Sequence, residues 1–459
     1  MEITREFAKM ISKTRYKDFS EEDISIAKER VLDTLGAWIA GFIYWDFTKQ
    51  LIETCELMGH GHAGIIGCSD QKYTSAVAAM ANTCFAHAME LDDGHKNAGV
   101  HAGAVVIPTA FTLGAELNSS IKDIITSIIL GYEIIYRIAV NINPAQLKKG
   151  FHPSATCGTF GAMAVSSKLM GLKEDQCANG LGLAGLFTSG LMEAIRSGSQ
   201  TKCIMVGKAA SNGIYAAKLA AHDIVGPLSV FEGTNGMFSA MSENVNDIMV
   251  TKDLGKEFLI KDTYTKLYPA CRHSHAAIES TIQLINKKGI KPEDIKKIEV
   301  STYKLAKEST GKIFIPKDAG EAKFSLPYCL AVAIYEKYFG ICHLNDHFLG
   351  QKIYQEMAKR VIINVNSKID DEYPKVRASK VNIVLKNGNV FSKYLSHLKG
   401  SPDNPISWKR LLVKFTKLVN KFLSNQNIND IVELVEHLEQ VDCIHKITGK
   451  IFTEPNKFI

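Results

Sequence analysis

Four stretches of 16 to 18 residues, TSAVAAMANTCFAHAMEL, CGTFGAMAVSSKLMGL, GLGLAGLFTSGLMEAI and GKAASNGIYAAKLAAH, consist almost wholly of alanine, glycine, serine and medium-sized apolar residues. They hold too few β-branched residues for strands, and their small side chains suit helices whose backbones approach closely. A further stretch, SEEDISIAKERVLDTLGAWIAGF, opens with Ser20 as cap and an acidic first turn. It then repeats Ile24, Val31, Leu32, Leu35 and Ile39 near helical spacing. The chain up to about residue 262 therefore reads as one helical domain.

The pattern changes after Tyr264. KPEDIKKIEVSTYKLA and VIINVNSKI carry short β-rich runs, and KVNIVLKNGNVFSKY alternates Val381, Ile383 and Leu385 before an Asn387-Gly388 hairpin signal. Helical periodicity returns from Ser407. The expected fold is mainly α-helical with a smaller α+β domain: residues 1–262 completed by 401–459, and 263–400 as the second unit. At 459 residues the chain exceeds the size of a single core.

Composition narrows the function. The net charge of +6 is spread without basic runs, which points away from nucleic acid and toward a small anionic substrate. The ten cysteines contain no C-x-x-C pair, so no zinc or iron–sulfur cage is expected, and reduced thiols suit a cytoplasmic protein. No apolar stretch reaches membrane-spanning length and no export signal is apparent at the amino end, so no membrane partner is expected.

Three polar clusters interrupt the apolar helices. Glu90-Leu91-Asp92-Asp93-Gly94-His95 is followed by His101, Lys149-Gly150-Phe151-His152 precedes Pro153, and Lys202, Lys208, Lys266, Arg272, His273 and His275 supply cations. Read singly, the acids are helix caps, His152 is an amino-terminal cap, and each lysine is a surface cation with a buried stem. Read together, they offer proton carriers beside carboxylate-binding groups. Pro153 suits the first helical position, which puts His152 at a helix start, where the dipole disfavours imidazolium and free N–H groups attract carboxylates. VGKAAS lacks the first glycine of a phosphate loop, and CHLNDHF, lacking a third strong ligand nearby, reads as a turn.

In this order the clusters resemble the MmgE/PrpD family. The resemblance rests on AHAMELDDGH with VHAGAVVIP, GFHPSATCGTFGA, SGLMEAIRSGSQTK, GKAASNGIYAAKLA with GPLSVFEGTNGMF, KLYPACRHSH, EAKFSLPYCLA and GSPDNPIS. It implies a homodimer with the site between a helical domain and a lid, and chemistry without metal or other cofactor. It implies His101, His152, Asp93 (or its neighbour Asp92), Lys202 and Lys266 as catalytic residues. Asp92, Glu90, Lys208, Arg272, His275 and Tyr328 would bind substrate. The implied reaction is that of a lyase removing a proton beside a carboxylate of a small di- or tricarboxylate. Dehydration of a 2-methylcitrate-like substrate is the expectation; epimerisation of iminodisuccinate type and decarboxylation of cis-aconitate type are the alternatives, and a non-catalytic carboxylate-binding paralogue is the alternative of another class. Three departures from the family pattern bear on substrate choice: Glu90 stands where Asp is common, Gly94 where Thr is common, and Ala102 where Pro is common.

Overall fold

The structure, a computed structural model, describes residues 2–197, 199–243, 245 and 250–452. Gly198 of the glycine-rich block and residues 453–459 of the tail lie outside the described residues. The first part contains α1 (Ile3–Lys13), α2 (Glu21–Tyr44), the hairpin β1 (His60–Ile65) and β2 (Cys68–Tyr73), α3 (Ser75–Ala88), α4 (Gly103–Glu116), α5 (Ile121–Ile142), α6 (Pro153–Leu169), α7 (Glu174–Phe187) and α8 (Lys202–Ala221). Ser20 caps α2 as expected: its hydroxyl accepts from Asp23 N, and Asp23 accepts in return from Ser20 N.

All fourteen residues of α3 are buried. A helix enclosed on every side must meet its neighbours through small residues, and glycine sets the spacing here. A Cβ at Gly41 of α2 would lie 1.8 Å from the Phe85 carbonyl oxygen of α3, and one at Gly207 of α8 would lie 2.4 Å from Cys84 Sγ and 2.5 Å from Met80 O. α3 is thus clamped between α2 and α8. α6 lies against α8 in the same way, with Gly213 placed so that a Cβ would meet Ala162 at 2.5 Å.

Two local expectations need correcting. GLGLAGLFTSGLMEAI is not one helix: α7 stops at Phe187, Gly190 takes a φ of +129°, and Leu191 forms a β-bridge with Phe151. The β1–β2 hairpin gave no alternating signal, because register shifts interrupt its pairing and Gly67 turns it with a φ of +72°.

The second part packs α9 (His275–Lys288) and α10 (Leu326–Glu336) with a four-stranded sheet of β3 (Ile295–Thr302), β4 (Val361–Val365), β5 (Ser379–Leu385) and β6 (Val390–Leu395). The order is β4-β3-β5-β6, with β3–β4 parallel and the rest antiparallel. Val381 and Ile383 face inward, and Gly388 makes the expected turn with a φ of +89°. CHLNDHF forms short helical turns.

The tail helices α11 (Trp408–Val419), α12 (Asn425–Glu436) and α13 (His445–Ile451) return to the first part. Phe415 and Leu418 fill the space over Gly36 of α2, and Lys414 pairs with Asp33 at 2.5 Å. Among the described residues, no helix is long and apolar enough to cross a membrane.

Gly207→Val should cost roughly 1–3 kcal/mol or more by wedging α8 from α3, read as a lowered urea midpoint. Gly449→Ala in α13, where a Cβ meets nothing within 4 Å, serves as the control and should leave stability unchanged or slightly raised.

Candidate active site

Five segments converge at the carboxyl end of α3. His87 lies in its last turn, and the chain then reverses at Glu90, a non-glycine residue with a φ of +54°. A left-handed glutamate costs on the order of 1–3 kcal/mol and persists only where its surroundings hold it. Here the surroundings are two ammonium groups. Glu90 Oε1 receives Lys202 Nζ from the first residue of α8, and Oε2 receives Lys266 Nζ at 2.7 Å from the segment that enters the second part.

Asp92, two residues on, serves the histidines. Its Oδ2 lies 2.7 Å from His87 Nδ1 and 3.4 Å from His101 Nδ1, and its Oδ1 is 4.0 Å from Lys266 Nζ. His101 Nδ1 also donates to the Asp93 carbonyl oxygen at 2.6 Å, so that nitrogen carries the hydrogen of the neutral ring. His152 holds the N-cap position of α6 ahead of Pro153, as its place in the sequence implies, without a side-chain bond to the helix start, and its ring lies 6.0 Å from that of His87. Ser154 Oγ accepts from His101 N at 3.0 Å and so joins the starts of α4 and α6.

The charges are unevenly matched. Burial alone would raise Glu90, but Lys202 and Lys266 hold it well below the usual carboxylate range. Burial pushes Lys266 down, yet Glu90 and Asp92 outweigh it and raise the ammonium above its ordinary value. Burial and the neighbouring lysines push His87, His101 and His152 well below the ordinary imidazole value, so all three are neutral near pH 7. Lys323 enters from the second part, donates to Ala88 O at 2.7 Å and is lowered by burial. Lys202, Lys266 and Lys323 are therefore set against Glu90 and Asp92, and His87, Glu90, Gln200, Lys202, Lys323 and Phe324 line a narrow pocket beside them. Among the described residues, His87 Nε2, Asp92 Oδ1 and His152 Nδ1 are buried without a hydrogen-bond partner. Such a set of orphans is what an anionic ligand with its own donors and acceptors would satisfy.

Of the residues singled out from sequence, Glu90, Asp92, His101, His152, Lys202 and Lys266 come together. Asp93 does not join them. Its Oδ1 accepts from Gly103 N at 3.0 Å, which caps α4, and its Oδ2 accepts from Tyr132 OH at 2.5 Å. Lys208 is exposed: six residues after Lys202 on one helix, it is turned about a third of a turn away and lies over the Tyr215 ring. Tyr328 lies in the core of the second part and donates to His343 O at 2.6 Å. Arg272 and His275 sit at the junction but are occupied, Arg272 with Ser401 Oγ and Thr265 O, and His275 Nε2 with Ala270 O.

Sequence reasoning missed three residues. His87 was visible as a lone histidine in an alanine-rich helix, and Lys323 as a cation in EAKFSLP. Lys414 carried no signal; its Nζ donates to Leu91 O at 2.8 Å and holds the acidic turn from behind. His87, Asp92 and His101 also present atoms within 4.8 Å of one another, close enough for a metal ion. The hydrogens on both Nδ1 atoms are committed to Asp92 and the Asp93 carbonyl, so the trio fits a hydrogen-bonded relay better than a ligand set.

Residues 5–247 match the MmgE/PrpD N-terminal domain and residues 268–440 the MmgE/PrpD C-terminal domain. Similar curated proteins include a cis-aconitate decarboxylase of Aspergillus terreus, 26% identical over 470 residues and covering 96% of this chain and 94% of its own. A cis-aconitate decarboxylase of Homo sapiens is 25% identical over 461 residues, covering 96% and 93%. One of Mus musculus is 23% identical over 453 residues, covering 96% and 92%.

Asp93 gives a pH signature. Burial raises it from 3.8 to about 6, with Arg30 and Tyr132 opposing. Between those values the folded chain binds more protons than the unfolded one, so this group's contribution lowers stability as pH rises, by at most about 1.4 kcal/mol per pH unit. Subtracting the urea stability of Asp93→Asn from that of the wild type between pH 4 and 6.5 should leave a downward slope; a flat difference would refute this assignment.

Proposed function

This chain belongs to the MmgE/PrpD family, and from that premise we propose that it is a lyase acting on a small unsaturated polycarboxylate, by decarboxylation of the cis-aconitate type. The observation that carries the reading is the buried Lys202–Glu90–Lys266 triad beside neutral histidines, with Lys323 as unmatched positive charge. Lysines so held attract substrate carboxylates and stabilise the charge that develops on one of them.

The chemistry needs little else. As the bond to one carboxylate breaks, CO₂ leaves and its electron pair spreads through the adjoining double bond into a second carboxylate as a dienolate. An imidazole then protonates the far carbon, and the proton consumed is replaced from water. Lys266 and Lys202 stabilise the dienolate, and such donors are typically worth about 10²- to 10³-fold each. His101, with Nδ1 pinned to the Asp93 carbonyl, has its other nitrogen available for proton transfer.

Dehydration, the expectation from sequence, rested on the paired histidines and a nearby aspartate, Asp93 or its neighbour Asp92, supplying both a base and an acid for a hydroxyl. Asp93 has both oxygens occupied by Gly103 N and Tyr132, which weakens that ground. The relatives named cis-aconitate decarboxylase support the alternative. We also propose that residues 263–400 act as the lid over a body of 1–262 and 401–459, and that the working form is a homodimer. The exposed Leu186, Leu191 and Val225, on neighbouring glycine-rich segments, support the latter.

Proton NMR of cis-aconitate, citrate, 2-methylcitrate and substituted succinates with the enzyme in D₂O tests the reading. The expected result is loss of CO₂ from cis-aconitate with one deuterium entering the product. An alkene formed from a hydroxy acid would instead establish dehydration, and deuterium exchange alone would establish epimerisation. Lys266→Met should lower kcat by about 10²- to 10³-fold. Dialysis against EDTA should leave turnover unchanged.

A further inference from the structure

Three imidazoles crowd this site, and their helices treat them differently. His152 holds the N-cap position of α6, and His101 precedes the start of α4; at both places the positive end of the helix dipole opposes imidazolium. His87 occupies the last turn of α3, where the dipole favours a cation. Its Nδ1 is engaged by Asp92 Oδ2 at 2.7 Å, which fixes the tautomer and leaves Nε2 as the reactive nitrogen. Among the described residues that Nε2 is buried without a hydrogen-bond partner, and His87 lines the pocket with Glu90, Lys202 and Lys323.

We propose that His87 is the group that delivers the proton to the reacting carbon, oriented by Asp92 and aimed through its free Nε2 into the lysine-lined cavity. The proposal rests on the lyase reading above and specifies which imidazole carries the proton.

The charged and titratable groups around the ring are Lys202, Lys266, Lys323, Glu90, Asp92, His101 and His152. In the free protein burial, with the lysines adding to it, keeps His87 neutral. Substrate carboxylates offset them, and His87 takes a proton from water at Nε2. When the carbon–carboxylate bond breaks, CO₂ departs with the substrate's carboxylate carbon and the electron pair stays in the dienolate. Nε2–H gives its proton to the dienolate carbon, a C–H bond forms, and His87 returns to its neutral state.

The test compares the wild type with His87→Ala and His87→Gln on the same carboxylates in D₂O, with thermal unfolding of each to confirm folding. Both variants should lose about 10²- to 10⁴-fold in kcat, with KM within about threefold of wild type. Added imidazole should restore part of the rate in His87→Ala, which has space for it, and none in His87→Gln. A folded His87→Ala with wild-type kcat overturns the role of His87, as does a loss that imidazole leaves unrestored. A wild type that converts none of the carboxylates overturns the lyase reading and this proposal together, whereas an active wild type with an equally active His87→Ala overturns the proposal alone.

Discussion

Glu90 between Lys202 and Lys266 is the interaction on which the rest of the site depends. It joins the end of α3, the start of α8 and the segment that enters the second part, so one side chain ties three stretches of backbone into one geometry. Burying these charges costs several kcal/mol per ion, and the pairing offsets that cost only while all three members stay in place. The left-handed backbone at Glu90 adds a local penalty in the same turn. Lys414, reaching across from α11 to Leu91 O and Asp33, holds the turn from outside, which makes the tail a part of the site's support.

Close helix packing is what allows so polar a cluster to be buried. α3 can end inside the protein because Gly41 and Gly207 let α2 and α8 reach its backbone, and the starts of α4 and α6 abut through Ser154 and His101. Helix ends carry unpaired N–H and C=O groups, so bringing several together inside a core concentrates partial charge. Here the starts of α4 and α6 supply the positive partial charge and Ala88 O, at the end of α3, accepts Lys323. The small-residue composition is thus a requirement of the site as well as of the fold.

Helices α2, α3, α6 and α8, the hairpin at Asn387-Gly388 and the cap at Ser20 were legible because each rests on local pattern. Glu90, Asp92, His101, His152, Lys202 and Lys266 were legible as polar interruptions of apolar sequence. What could not be read was direction. Asp92 and Asp93 are neighbours in sequence, yet one faces the histidines and the other caps α4, and only the reversal at Glu90 decides which. Lys208 shares a helix with Lys202, but helical rotation carries it to solvent. Tyr328 and Lys323 lie five residues apart, and the turn into α10 at Ser325 separates a core tyrosine from a lysine in the cavity. Lys414 acts across 323 residues of chain, a contact for which no local pattern exists.

The remaining imbalance connects structure to chemistry. With three imidazoles neutral, Lys202, Lys266 and Lys323 outnumber Glu90 and Asp92. A buried surplus cation is costly, so an arriving polycarboxylate relieves a strain already present in the free protein. The same relief makes imidazolium less unfavourable, most of all for His87, which alone sits at a helix end that welcomes positive charge. Substrate binding and proton loading are therefore coupled through one set of charges, and a ligand lacking the carboxylates would neither settle the lysines nor equip the histidine to donate.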